Sequence, residues 1–494
     1  MKSFLSNNFY SDNLIILPFL LIPFFLISGS FLPDFLMSLS ALIFLIHCFM
    51  NKDFKYFYNY YFILFFIIYI YININSFFSF DPKISFKTSI PYIRVIIFSI
   101  FFSFIINKKN FINLFFFSFY LSYLILLIDS LFQLITGSNI IGYPATYRIS
   151  SFFGEELIMG SFVSRTLPFV LGILFFLDLK NKDFLGLALL LIAGILVFLS
   201  GERLALVYYT ITIFFSFIFF FNFKFKIYFL ALIFLTFFII TFYNSNFFNR
   251  LYFHTKQQLK QGQSSLFLSY RHELHYLTAY RMYKDNKFFG HGLRSFRNLC
   301  ADERFSVQDK IDKDKTQFSP IDGLYDITEE YREVEDLNSL KTIQKYYVVS
   351  VTSKDSRFEF VVGDYYKKFF KSKGDNVKSN EALFVNYAYP NGCNTHPHNV
   401  YLQILAEIGL VGFFLFFGFF LFLFYQLIII FLKIKRNDIS YKYKSNFLFI
   451  LGIVLSLFPL FPSGSFYNNW LLSIFSINLG FLINYYPLNI KKND

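Results

Sequence analysis

Twelve apolar runs dominate this chain and leave it few ways to fold. They lie at about 14–28, 35–50, 60–78, 89–106, 111–135, 157–177, 184–200, 204–221, 227–243, 404–432, 446–462 and 470–486. A helix of roughly 20 apolar residues crosses the hydrocarbon of a bilayer, and no soluble protein carries so many such runs. The expected fold is all-α: a polytopic membrane protein with about twelve transmembrane helices. Phenylalanine supplies 79 of the 494 residues. Part of that excess fits an AT-rich genome, since Ile, Asn and Lys are also abundant beside a single Trp. The first run has no visible secretory cleavage site and reads as a retained span.

Charge orients the runs. Short loops carry Lys52, Lys55, Lys108, Lys109, Lys180, Lys182, Lys224, Lys226, Lys433, Lys435, Arg436, Lys442 and Lys444. Twelve spans put all of these on one side, together with both termini. The opposite short loops hold only Lys83, Lys87, Arg148 and Arg203. The positive-inside rule makes the lysine-rich side cytoplasmic. This topology accounts for the net charge of +13, so nucleic acid is not an expected partner.

Segment 244–397 then lies outside, as a large periplasmic loop domain between helices 9 and 10. The division expected is an N-terminal bundle over 1–243, the loop domain over 244–397, and C-terminal helices over 398–494. Leu266, Tyr270, Leu274, Leu277, Tyr280 and Met282 recur at helical spacing within 264–300. Lys345–Val351 and Phe358–Val362 read as short strands. No internal repeat is evident, which weakens an inverted-repeat transporter.

Two groups of residues suit chemistry. His396 and His398 stand where the long polar segment meets an apolar run. Imidazole titrates near neutrality and suits proton transfer. At a membrane boundary it meets substrates whose tails lie in lipid and whose heads lie in water. The alternative is a surface turn, with Pro397 starting a helix and Asn399 near its cap. No other Cys/His cluster has ligand spacing, so no metal site is expected. Arginines form the second group: Arg94 and Arg165 lie inside apolar runs, Arg203 between two, and Arg148 and Arg271 in external segments. Guanidinium holds phosphate oxygens bidentately, and an intramembrane arginine is by default a functional residue. Snorkelling to the interface explains Arg94 and Arg203 equally well.

Four blocks then resemble the O-antigen ligase and O-antigen polymerase superfamily. They are Arg148-Ile149-Ser150-Ser151-Phe152-Phe153-Gly154-Glu155-Glu156…Gly160-Ser161, Ser200-Gly201-Glu202-Arg203-Leu204-Ala205-Leu206, Arg271…Gly290-His291-Gly292…Phe296, and His396-Pro397-His398-Asn399…Glu407…Gly409…Gly412. They keep the family's order across roughly 148–412. The resemblance implies a GT-C-like fold in the bacterial inner membrane. It implies glycan transfer at the periplasmic face from an undecaprenyl-diphosphate carrier to lipid A-core or another glycan acceptor. No cofactor, nucleotide or obligatory metal is implied. Carried over by position, His398 is the base and His396 the second choice. Arg203 and Arg271 bind diphosphate, with Arg148, Arg94 and Glu155 as further carry-overs; Asn399 and Glu407 belong to the motif. Ligase, polymerase and protein O-oligosaccharyltransferase remain open within the superfamily, and a membrane transporter remains open outside it. Cys300 and Cys393 flank the 301–390 insertion, and in an oxidising compartment they suggest a disulfide; two free thiols are the alternative.

Overall fold

The computed structural model describes residues 16–145, 148–177, 179–221, 223–243, 252, 256, 270–307, 325–334, 344–353, 357–361, 392–436 and 441–485. Every one of the twelve apolar runs contains helix. The first holds α1 (Ile22–Ile27), preceded by helical residues 16–20. There follow α2 (Phe31–Asn51), α3 (Tyr60–Phe77), α4 (Pro82–Ser89), α5 (Arg94–Ile106), α6 (Phe111–Thr136), α7 (Met159–Phe176), α8 (Lys182–Ser200), α9 (Arg203–Phe219) and α10 (Phe223–Tyr243). Outside the bundle helices come α11 (Tyr270–Asp285) and the short α12 (Phe296–Leu299). The chain closes with α13 (Val400–Arg436), α14 (Tyr441–Ser456) and α15 (Asn469–Tyr485). Among the described residues, seven helical segments are long and apolar enough to cross a membrane, and three further apolar helices are shorter.

The surface of these helices is inverted relative to a soluble protein. On α2, Leu36, Met37, Ala41, Phe44 and Cys48 are buried while Phe31, Phe35, Leu42, Ile43 and Phe49 are exposed. Apolar residues on both faces suit a helix with protein on one side and lipid on the other. At the centre lies α7, whose residues from Met159 to Phe175 are nearly all buried. It packs on α14, α8, α9, α6 and α15, so the C-terminal helices are built into the bundle formed by the N-terminal ones. Small residues permit the close approaches: a Cβ on Gly172 would meet the Phe449 ring of α14 at 2.7 Å.

The membrane part is helical, as expected, and the segment between α12 and α13 adds a three-stranded antiparallel sheet, β1 (Tyr325–Val334), β2 (Gln344–Ser353) and β3 (Arg357–Val361), in that order. β1 pairs with β2 from Tyr325↔Ser353 to Val334↔Gln344, and β2 with β3 from Val348↔Val361 to Thr352↔Arg357. The last two strands match the sequence expectation. β1 escaped it because Glu329, Glu330, Arg332 and Glu333 hide its pattern. Of the expected helix over 264–300, residues 270–285 and 296–299 are helical, and 264–269 lie outside the described residues.

Candidate active site at the broken helix

A glycine decides the shape of the site. α13 is interrupted at Gly409, with φ 69° and ψ −167°. That region of backbone space is essentially restricted to glycine. A broken helix in lipid leaves backbone groups that need partners. Segment 287–292 supplies them: Leu410 N–H donates to Lys287 O (2.8 Å), His291 N–H to Ala406 O (3.1 Å), and Gly292 N–H to Glu407 O (2.7 Å). Tyr71 Oη from α3 covers Ile408 O at 2.6 Å. The approach is backbone to backbone. A Cβ on Gly290 would sit 2.5 Å from the Glu407 carbonyl carbon, and one on Gly409 would lie 2.5 Å from Phe289 N. The Gly290-His291-Gly292 and Glu407…Gly409 blocks are therefore two halves of one junction. Fully buried Glu407 strengthens it, accepting from Phe296 N–H (3.2 Å) at the start of α12 and from Gln403 Nε2 (3.3 Å).

The histidines stand just before α13. Asn399 is the helix cap: Tyr401 and Leu402 N–H donate to its Oδ1 at 3.0 and 3.1 Å, and its Nδ2 donates to Pro459 O at 2.7 Å. His398 adopts a left-handed backbone (φ 55°), uncommon for a non-glycine residue and often a mark of function. Ser463 holds it there. Its N–H donates to His398 O (2.8 Å), and its Oγ accepts from Val400 N–H (2.9 Å).

Three more imidazoles surround His398. Ring centroids of His396, His272 and His275 lie 4.3, 5.1 and 5.2 Å from its own. His272 and His275 come from α11, which the sequence reading valued only for Arg271. Their spacing of three along a helix, just after that arginine, was the signal available.

Asn394 fixes the state of His398. Thr395 N–H can only donate, and it points at Asn394 Oδ1 (2.7 Å). The amide nitrogen therefore faces His398, with Nδ2 3.0 Å from Nε2. Since Nδ2 only donates, Nε2 must accept, so the ring is neutral with its proton on Nδ1. Electrostatics agree. Burial, then the neighbouring His396, His272 and His275, hold the His398 pKa well below the ordinary histidine value. Burial, Arg297 and His272 lower His396 to about 4, against a raising contribution from the Ser463 backbone. Arg297 on α12 and Asn394 are the remaining members of the site that sequence reasoning missed.

The other sequence candidates divide. Arg148 is half-buried and committed to the α8–α9 turn: Nε donates to Ser200 O (2.6 Å), one terminal nitrogen to Leu157 O (2.8 Å), and Glu202 lies 3.5 Å away. Glu202 also accepts from Ser161 Oγ at 2.6 Å. Arg203 follows as the first residue of α9. Arg94 pairs with Asp34 at 2.6 Å and donates to Ser38 Oγ (3.2 Å) and Asn469 Oδ1 (3.1 Å), which ties α5 to α2 and α15. Arg271 lies in the first turn of α11, immediately before His272. Glu155 is exposed in the loop after α6. Cys300 and Cys393 form a disulfide with a Cα–Cα distance of 5.1 Å, joining α12 to the segment that carries the histidines. Among the described residues, no group of three or more His, Cys, Asp or Glu is disposed to hold a metal ion.

An apolar bundle with a cluster of imidazoles beside a broken helix defines a multi-pass membrane protein with a polar site at one end of the bundle. Residues 187–322 match the family model described as O-Antigen ligase. The matched segment begins within α8, spans α12, carries Arg203, Arg271, His272 and His275, and ends before His396 and His398. Comparison with curated proteins and with solved structures returns no match.

Proposed function

We propose that this protein moves a glycan from an undecaprenyl-diphosphate carrier to an acceptor at the periplasmic face of the bacterial inner membrane, as an O-antigen ligase with a lipid A-core acceptor. The observation that carries this reading is the neutral His398, whose Nε2 lone pair faces Asn394 at the mouth of the bundle. An acceptor hydroxyl displaces Asn394 and gives its proton to Nε2. The hydroxyl oxygen bonds to the anomeric carbon, and the carbon–oxygen bond to diphosphate breaks with its electron pair leaving on the diphosphate. Attack opposite the leaving group inverts the anomeric centre. Diphosphate is a good leaving group once its charge is neutralised, so the reading requires arginines rather than a metal. Arg203 and Arg271 take that role, with Arg148 shaping the turn that presents Arg203. Polymerase and protein O-oligosaccharyltransferase differ from this only in the acceptor.

Arg203→Lys keeps the charge but loses the bidentate fork. Transfer in membranes supplied with a lipid-diphosphate donor is expected to fall at least about tenfold, mainly through donor affinity. Native turnover and affinity in the Lys variant would remove Arg203 from the donor site.

The same reading places both termini in the cytoplasm, twelve crossings between them, and the domain over 244–397 in the periplasm. With Cys48 replaced by Ser, a Glu330→Cys variant is expected to react with a membrane-impermeant maleimide from the periplasmic side. Labelling only after the inner membrane is opened would overturn the topology and the mechanism together.

A further inference from the structure

Segment 287–289 lies in the polar stretch between α10 and α13, yet two of its side chains are turned out of the protein. Phe288 and Phe289 are 62% and 55% exposed. Their backbone is fixed at the break in α13: Phe288 O accepts from Val411 N–H (3.3 Å), and Phe289 O from Asn75 Nδ2 of α3 (2.5 Å). The depth of that break can be counted. From Leu410 to Leu432, α13 carries no charged residue, and Lys433 ends the stretch. At 1.5 Å per residue it is about 34 Å long, against roughly 30 Å of hydrocarbon. Leu410 and Val411 therefore stand at the edge of the hydrocarbon on the side away from Lys433. α3 gives the same level independently, since it ends two residues after Asn75, with Phe77 and Phe78 exposed. Val411 and Phe414 of α13 are exposed as well, so Phe288 and Phe289 join an apolar belt of the bundle.

A pair of exposed phenylalanines on a fixed backbone is unfavourable in water. At a membrane boundary the same pair is stabilising, because its rings leave water for acyl chain. The nearby charges suit a leaflet. Lys284 and Lys287 are exposed and come just before the two rings. Asp285, between them in sequence, lies 3.5 Å from His291. Leu277, Tyr280 and Lys284 form one exposed stripe of α11, with Lys284 Nζ 4.8 Å from the Tyr280 ring centroid. We propose that the end of α11 and the segment after it are an interfacial anchor, with the Phe288 and Phe289 rings among the acyl chains of the outer leaflet and Lys284 and Lys287 at its phosphates. Continuity with the exposed rings of α3 and α13 favours lipid over a second copy or another protein. The anchor bears on the site, because α11 also carries His272 and His275 against His398. The leaflet holds the far end of the same helix. That this leaflet is the outer one rests on the topology proposed above; insertion itself rests on the exposed rings and the depth of the break.

Spin-label accessibility of the full-length protein in nanodiscs tests the insertion. Cys48→Ser removes the free thiol, while Cys300 and Cys393 stay bridged. A nitroxide is then attached at Phe288→Cys, at Phe289→Cys, or at Glu303→Cys in an exposed turn as the water reference. Oxygen concentrates among acyl chains, whereas the polar chelate NiEDDA stays in water. Relative to position 303, labels at 288 and 289 are expected to lose most of their NiEDDA accessibility and to gain oxygen accessibility. NiEDDA access equal to that at 303 would place the rings in water. Shielding from both reagents would place protein over them. Either result overturns the anchor, and the two positions cover the case in which one variant does not fold. Failure of the topology looks different: the oxygen preference persists at 288 and 289, but Glu330→Cys is labelled only after the inner membrane is opened.

Discussion

Replacing His398 with Ala or Gln is expected to lower glycan transfer by about 10²–10⁴-fold while donor binding stays near the native level. The loss falls on the chemical step because the arginines that hold diphosphate are untouched. Gln is the discriminating variant: it keeps hydrogen bonding but cannot take a proton near neutral pH. Native transfer by the Gln variant would mean that His398 only orients the acceptor, and His396 would become the residue to test. The pH profile separates these roles further. Burial and three neighbouring imidazoles lower the His398 pKa, so the neutral base persists below the ordinary histidine value of about 6.5. The acid limb of kcat/KM is therefore expected below pH 6.5, with activity nearly flat above it. Asn394→Asp reverses the sign. A carboxylate opposite Nε2 favours imidazolium and raises the pKa, which moves the acid limb upward by roughly one unit or more. Below the new limb the rate falls about tenfold per pH unit. A merely structural Asn394 would lower activity equally at all pH values.

What the sequence disclosed follows from what lipid and backbone impose locally. Each apolar run became helix because a run of Phe, Ile and Leu has no other stable state in a membrane. His398 and Asn399 were readable because the chain changes character there, from polar to apolar. His272 and His275 were not, since their value arises only when α11 folds back against the start of α13. Arg94, inside an apolar run, and Arg148, in an external segment, were both carried over as diphosphate ligands. Their partners Asp34 and Glu202 are set by helix packing that no local pattern reveals. Arg165 was visible as a charge inside an apolar run, but its lack of an acidic partner needed the assembled bundle. The strands β2 and β3 are rich in Tyr, Val and Phe and could be read; β1 is too charged to announce itself.

Gly409→Ala is expected to be among the most damaging single substitutions, although it adds one methyl group. Alanine does not adopt φ 69° with ψ −167° without strain, and its Cβ would press on the backbone of Phe288 and Phe289. Neither strand of that junction can yield, because Leu410, His291 and Gly292 N–H groups are bonded across it. The cost is on the order of 3 kcal/mol or more, from backbone strain and the lost hydrogen bonds. If α13 straightens instead, its first two turns swing away from segment 287–292, and Glu407 loses Phe296. Both routes disperse the histidines, so transfer falls together with thermal stability. Gly418→Ala is the matched control. It lies in the same helix, nothing stands within 4 Å of its added Cβ, and alanine is the better helix former. Detergent-solubilised Gly418→Ala should unfold at or slightly above the wild-type temperature, whereas Gly409→Ala should unfold well below it. Equal melting temperatures for the two variants, with full transfer in both, would mean that the break in α13 holds neither the fold nor the site.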